Sequence, residues 1–101
     1  MALAYEKDEY QLGYLQRYAQ LVALYMYHPS SGLFGCPLAM TDGAAYTIRR
    51  ILQRKKQSSP LLTKAFSHLT SRTDFWTSGQ WMTEKKGGSD VSNTETVAIK
   101  D

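Results

Sequence analysis

The side chains best suited to chemistry in this 101-residue chain fall together, in Gln80-Trp81-Met82-Thr83-Glu84-Lys85-Lys86-Gly87-Gly88-Ser89-Asp90-Val91. Two adjacent glycines let backbone approach a ligand closely and leave N–H groups free to donate. Thr83 and Ser89 bring hydroxyls that can donate or accept. Trp81 brings a flat aromatic face, and Lys85 and Lys86 favour a nearby phosphate. The pattern matches neither a phosphate loop ending in Gly-Lys-Ser/Thr nor a Gly-x-Gly-x-x-Gly fingerprint. A solvent-exposed hairpin turn with a lysine-rich tip would use the same residue types, because glycine-rich turns between strands are common. Residue types alone leave cofactor contact and plain turn both open.

The elements that must position this segment are legible around it. Gly79–Glu84 reads as a short strand, with Trp81 and Thr83 favourable there. Lys85–Gly88 reads as its turn, and Thr94–Ile99 as a second strand. Strands near a chain end leave ladder groups unpaired, so these two are expected to open a larger sheet. Upstream, three helices are expected. Glu9–Tyr27 places Leu12, Leu15, Ala19, Val22 and Met26 on one face. Tyr14, Tyr18, Leu21 and Tyr25 form a second apolar stripe beside it. A helix apolar around most of its circumference expects cover on several sides, which a chain this short can scarcely supply. The turn His28-Pro29-Ser30-Ser31-Gly32 ends that helix. A second helix starts near Pro37, with Leu38, Thr41, Ala45, Ile48 and Leu52 on its inner face and Asp42-Gly43 weakening it locally. A third starts at Ser59-Pro60, a cap followed by proline, with Leu62, Phe66 and Leu69 inward.

Composition bounds the rest. The length allows one small domain, marginal on its own. An apolar content of 43% and a charged content of 21% are ordinary for a globular chain. The net charge of +3 lies in the first half: residues 1–58 hold seven Lys/Arg against four Asp/Glu, and residues 59–101 hold five of each. A single cysteine, Cys36, allows no internal disulfide and fits a reducing compartment. No secretory signal or mitochondrial presequence is visible, and the longest apolar run, Leu21–Tyr27, is far short of the roughly 20 residues of a membrane span. A soluble, intracellular protein is expected, cytoplasm and mitochondrion being indistinguishable.

Met82–Val91 resembles the acyl-CoA dehydrogenase signature, which runs apolar, Thr, Glu, two or three variable residues, Gly, Ser, Asp. Met82-Thr83-Glu84 and Gly88-Ser89-Asp90 fall at that spacing. Cys36-Pro37-Leu38-Ala39-Met40-Thr41 and Ser92-Asn93-Thr94 resemble the bacterial adaptive-response, AidB-like branch. Many members carry proline after Thr-Glu; Lys85 stands here, which that branch tolerates. The resemblance implies a partial fold, mainly α with a short β segment at the C-terminal end. Residues 1–73 would be the last part of the family's N-terminal helical domain, and residues 74–101 the truncated start of its middle β domain.

It also implies FAD as cofactor and an acyl-CoA as substrate, with a homo-oligomeric full-length parent. Met82 and Thr83 would lie along the flavin ring, Gln80 and Trp81 at the preceding contacts, and Gly88 in the bend beyond. Ser89 would sit near the cofactor diphosphate or the substrate. The implied reaction removes a proton α to the thioester while hydride passes from the β carbon to the flavin. The family's base is a glutamate in a C-terminal bundle, so no residue here is assigned as base; Glu84 matches the motif glutamate, which is not it. The chain is therefore expected to be inactive alone, as a fragment of a flavoenzyme or as a non-catalytic helical interaction module derived from one.

Other candidates read as structural. His28 and His68 have no marked third partner for a metal or a catalytic triad. Cys36 has no base beside it and reads as a small buried apolar residue. Arg49, Arg50, Arg54, Lys55 and Lys56 would offset the negative end of a helix dipole, and a nucleic-acid partner is not expected.

Overall fold

A computed structural model describes residues 4–5, 12–55 and 59–99. The expected start of the first helix, Glu9–Gln11, lies outside them. Gly13 then adopts a left-handed φ of +50°, followed by a 3-10 turn over Gly13–Leu15. The regular helix α1 is Gln16–Tyr27, extended by a 3-10 turn at His28–Ser30 around Pro29. Gly32, at φ +59°, makes the left-handed step that reverses the chain, a conformation costly for any residue with a Cβ. Helix α2 follows as Gly35–Lys55, with Pro37 in its first turn, and runs unbroken through Asp42-Gly43. Helix α3 is Pro60–Leu69. The Ser59 hydroxyl accepts from the Leu62 N–H, and proline occupies the first position, as the cap pattern requires.

The principal helix pairing is α2 on α3. Thr41 and Ala45 on α2 and Leu69 on α3 are buried, and Leu38, Ile48, Leu52, Leu62 and Phe66 are half-buried, so both inner faces are the expected ones. Helix α1 differs from expectation. Leu15, Val22 and Met26 are exposed, and so are Tyr14, Tyr18, Leu21 and Tyr25. The side of α1 that meets the body carries Gln20, only 1% exposed, and Arg17. Asp42 on α2 binds Arg17 and Gln20 and holds the polar edge of α1 inward, which leaves the tyrosine stripe outside and only Leu12 and Ala19 of the other stripe half-buried.

The C-terminal β segment is a correction. Among the described residues there is no strand: Gly79–Glu84 and Thr94–Ile99 are extended but unpaired. A strand exists through its ladder, and these segments meet side chains instead. The Glu84 carboxylate accepts from the Glu95 N–H at 3.0 Å and the Thr96 N–H at 3.2 Å, occupying donors a ladder would use. A 3-10 turn at Val91–Asn93 lies between the two segments. The radius of gyration is 16.0 Å, against roughly 13 Å for a compact chain of this size.

Candidate functional site

The 80–91 segment leaves the helical body as an arm with a defined root. Thr41, 3% exposed, donates its hydroxyl to the Pro37 carbonyl at 2.7 Å and accepts the Ser78 N–H at 3.0 Å. Just before the root, the Trp76 backbone N–H donates to the His68 carbonyl at 3.1 Å, and the Trp76 indole stacks on the His68 imidazole with centroids 4.3 Å apart. Imidazole Nδ1 is 3.0 Å from the Asp74 carbonyl and 3.1 Å from its carboxylate. His68 is thus a strut holding the arm to α3. The arm then passes over α2, where the Gln80 N–H reaches the Met40 sulfur at 3.3 Å.

Beyond Gln80 the arm organises itself. Reciprocal backbone bonds between Glu84 and Gly87, at 2.7 and 3.2 Å, close a tight turn around Lys85-Lys86. Lys86 pairs with Glu95 at 2.6 Å, both largely exposed. Asp90 accepts the Ser92 N–H at 3.0 Å and caps the following 3-10 turn. Two motif acids are therefore builders of the loop. Hydrogen bonds from Thr96 and then Glu95 hold the Glu84 carboxyl below its ordinary value, and Ser92 does the same for Asp90.

All six residues singled out by sequence are exposed, Gln80 included. Gln80 lines a depression of about 350 Å³ with Met40, Ala44, Thr47, Ile48 and Ser78. Trp81, Met82, Thr83, Gly88 and Ser89 are all exposed, Trp81 at 95%. A Cβ at Gly88 would meet nothing within 4 Å. The turn closed by Glu84 and Gly87 separates Trp81, Met82 and Thr83 from Gly88 and Ser89.

A second polar cluster was not anticipated. Asp42 receives Arg17 through both carboxylate oxygens, the Gln20 amide at 3.2 Å and the Tyr5 hydroxyl at 2.9 Å. Burial pushes the Asp42 carboxyl up, but bonds from Arg17, Gln20 and Tyr5 outweigh it and hold it below its ordinary value. The Tyr5 hydroxyl is pushed up to about 12 by burial, then by its bond to Asp42. The Tyr5 ring meets Phe66 edge-on at 5.8 Å and lies 5.9 Å from the Arg49 guanidinium. The available signal was the pair Arg17 and Gln20, one turn apart within otherwise apolar stripes.

Cys36 is exposed, contrary to the expected burial, because it sits on the outer side of the first turn of α2. Arg50 and Arg54 flank an open groove with Tyr46 and Ile51. The side chain of Lys55 and all of Lys56 lie outside the described residues. Among the described residues, no three His, Cys, Asp or Glu side chains gather to hold a metal, and no helix is long and apolar enough to cross a membrane.

The chain is 46% identical over 90 residues, 86% of its length, to acyl-CoA dehydrogenase family member 11 of Caenorhabditis elegans. That similarity supports the acyl-CoA dehydrogenase family. The matched stretch is 14% of the nematode protein, so the chain spans about one seventh of that relative. No protein-family profile matches the chain, and no solved structure matches it. Flavin is the cofactor of the family. The arm does not enclose a flavin: all six candidate residues are exposed, and the depression that Gln80 lines is walled largely by α2. The described residues do not by themselves fit a bound isoalloxazine.

Proposed function

We propose that this chain is a segment of an FAD-dependent acyl-CoA dehydrogenase, of the adaptive-response, AidB-like branch, that supplies one edge of a flavin and substrate site. Residues 1–73 contribute the end of a helical domain and residues 74–101 the start of a β domain. Gln80, Trp81, Met82, Thr83, Gly88 and Ser89 form that edge, Ser89 also toward the acyl-CoA. No residue of the chain is assigned as catalytic base. The reading is carried by one observation: 46% identity to a named family member runs through 90 residues of a chain that bears the Thr-Glu and Gly-Ser-Asp spacing.

An open edge explains why the six residues stand in solvent. The other walls of the site, in this reading, come from further parts of a full-length, homo-oligomeric parent. The isolated chain then retains little or no FAD, and tight stoichiometric yellow flavin on it would refute the incomplete site. The family assignment is tested by a chimera, in which this chain replaces the matching segment of the nematode relative. The chimera is expected to hold flavin and dehydrogenate acyl-CoA as the unmodified relative does. A folded chimera that has lost flavin while the unmodified relative keeps it counts against the assignment.

A second reading is favoured by α1. Its polar edge faces inward and Tyr18, Leu21, Val22, Tyr25 and Met26 face outward, as in a helical interaction module that keeps the family's loop without its catalysis. In that case the isolated chain co-sediments with a full-length relative, and a catalytic segment carried in the chimera would not restore turnover.

A further inference from the structure

The exposed part of the arm has little of its own to aim it. Trp81, Met82 and Thr83 stand in solvent, and the Gln80 N–H reaches only the Met40 sulfur, a weak acceptor, at 3.3 Å. Direction is set at the root, where Thr41 holds Ser78 and α3 holds Trp76. A chain rising about 3.3 Å per residue carries Thr83 up to about 17 Å beyond Ser78, so a tilt of about 10° at the root moves that residue by about 3 Å. Contacts to a bound group need placement within about 0.5 Å, a task that falls to the side chains behind the contact residues.

His68 grips the root from two directions. Its imidazole lies 8° from parallel to the Trp76 indole, with centroids 4.3 Å apart. Its Nδ1 faces the Asp74 carbonyl at 3.0 Å and the Asp74 carboxylate at 3.1 Å; both accept, which makes Nδ1 the donor. One arm residue thus locks the edge of the ring while the face of the ring seats another. Lys64, one turn earlier on α3, places its Nζ over the same indole at 6.0 Å. The inner face of α3 consists of Leu62, Phe66 and Leu69, so the His68 side chain serves the arm and not the helix pairing.

We infer that His68 is a positioning residue for the flavin edge, acting through Trp76 to set where residues 80–83 stand relative to α2. This role rests on the flavin reading of those residues. The ring face matters more than the donor. Asp74 is 79% exposed, so water replaces the Nδ1–H readily, whereas nothing in solvent replaces a flat surface against the indole.

Two measurements test it. In the full 101-residue chain, His68→Ala is expected to speed amide exchange at Trp76 and Ser78 by roughly fivefold or more, and His68→Phe, which keeps the ring face, to restore protection. In the chimera with the nematode relative, His68→Ala is expected to raise the FAD dissociation constant by roughly fivefold or more and to shift the absorption bands of the bound flavin, with His68→Phe recovering both. Leu62→Ala, which removes an inner side chain of the same helix, lowers the melting temperature of the chimera and leaves the flavin bands in place, as a purely structural role of His68 would also do. An unsubstituted chimera without flavin removes the flavin reading and this role with it. In a chimera that holds flavin, bands and affinity that ignore His68→Ala, an equal band shift in Leu62→Ala, or no rescue by His68→Phe would overturn the role of His68 alone, as would unchanged exchange at Trp76 in the chain.

Discussion

Asp42 is the residue on which the placement of α1 turns. Three side chains from two other stretches of chain converge on it, and without it Arg17 and Gln20 have no reason to face inward. Bonds to a charged group contribute most when shielded, whereas exposed pairs contribute little. Arg17 is 43% exposed and Asp42 13%, which is between these limits. Asp42→Ala is expected to cost about 1–2 kcal/mol in urea unfolding. The pH dependence has a fixed sign. The folded carboxyl lies below its ordinary 3.8, so its stabilisation is complete above that value and is lost as pH falls from there through the lower folded value. The stability gap between the unmodified chain and the Ala variant should therefore be constant near neutral pH and close below about pH 4. A gap that widens on acidification would show that Asp42 is not the organising charge. Sequence could name Asp42 only as a local weakness in a helix, because a carboxylate's partners from distant segments leave no periodic trace.

At the scale of elements, legibility followed the source of each element's stability. Helices α2 and α3 were readable because their signals are local: Ser59-Pro60 at a helix start, Pro37 in a first turn, and inner faces at three- and four-residue steps. The face that α1 turns inward was not readable, since an apolar stripe reports a wish for cover and not which neighbour is present. The two strands failed for a related reason. Trp81, Thr83 and Val97 carry strand propensity, but propensity describes fit to a pleated neighbour, and here Glu84 takes the neighbour's donors. The arm's root follows different physics and gives a sharper test. Thr41 is buried and holds the Ser78 N–H from a position 37 residues away. Thr41→Val keeps the shape and removes the acceptor, so amide exchange should accelerate from Ser78 through Gln80 while α2 and α3 stay protected. The expected loss in overall stability is about 1 kcal/mol. Thr41→Ser restores the acceptor and should restore protection; failure of that rescue would mean the hydroxyl does not anchor the arm.

For the whole molecule, the decisive fact is that the chemistry-bearing edge and the apolar helix face are both open. A chain of this size that buries its apolar surface is more compact than one with a 16.0 Å radius of gyration. Sequence marks the motif positions and no more: whether they edge a site depends on enclosing walls, and enclosure comes from residues that no local pattern names. This gives the threonine of the motif a specific test. In the isolated chain Thr83 is exposed and Thr83→Ala should change nothing measurable in stability. In the chimera with the nematode relative, the same residue would stand against the flavin, its hydroxyl and N–H exchanging water for the ring edge. Loss of one such bond weakens binding by about 0.5–1.5 kcal/mol, or more where the ring atom is left buried without a donor. Thr83→Ala in the chimera should therefore raise the FAD dissociation constant several-fold and shift the flavin absorption bands, and Thr83→Ser should recover both. Because the isolated chain is silent to the same change, a shift seen only in the chimera separates a cofactor contact from a folding effect. A chimera whose spectrum and affinity ignore the substitution would remove Thr83 from the flavin edge, even if the family assignment stood.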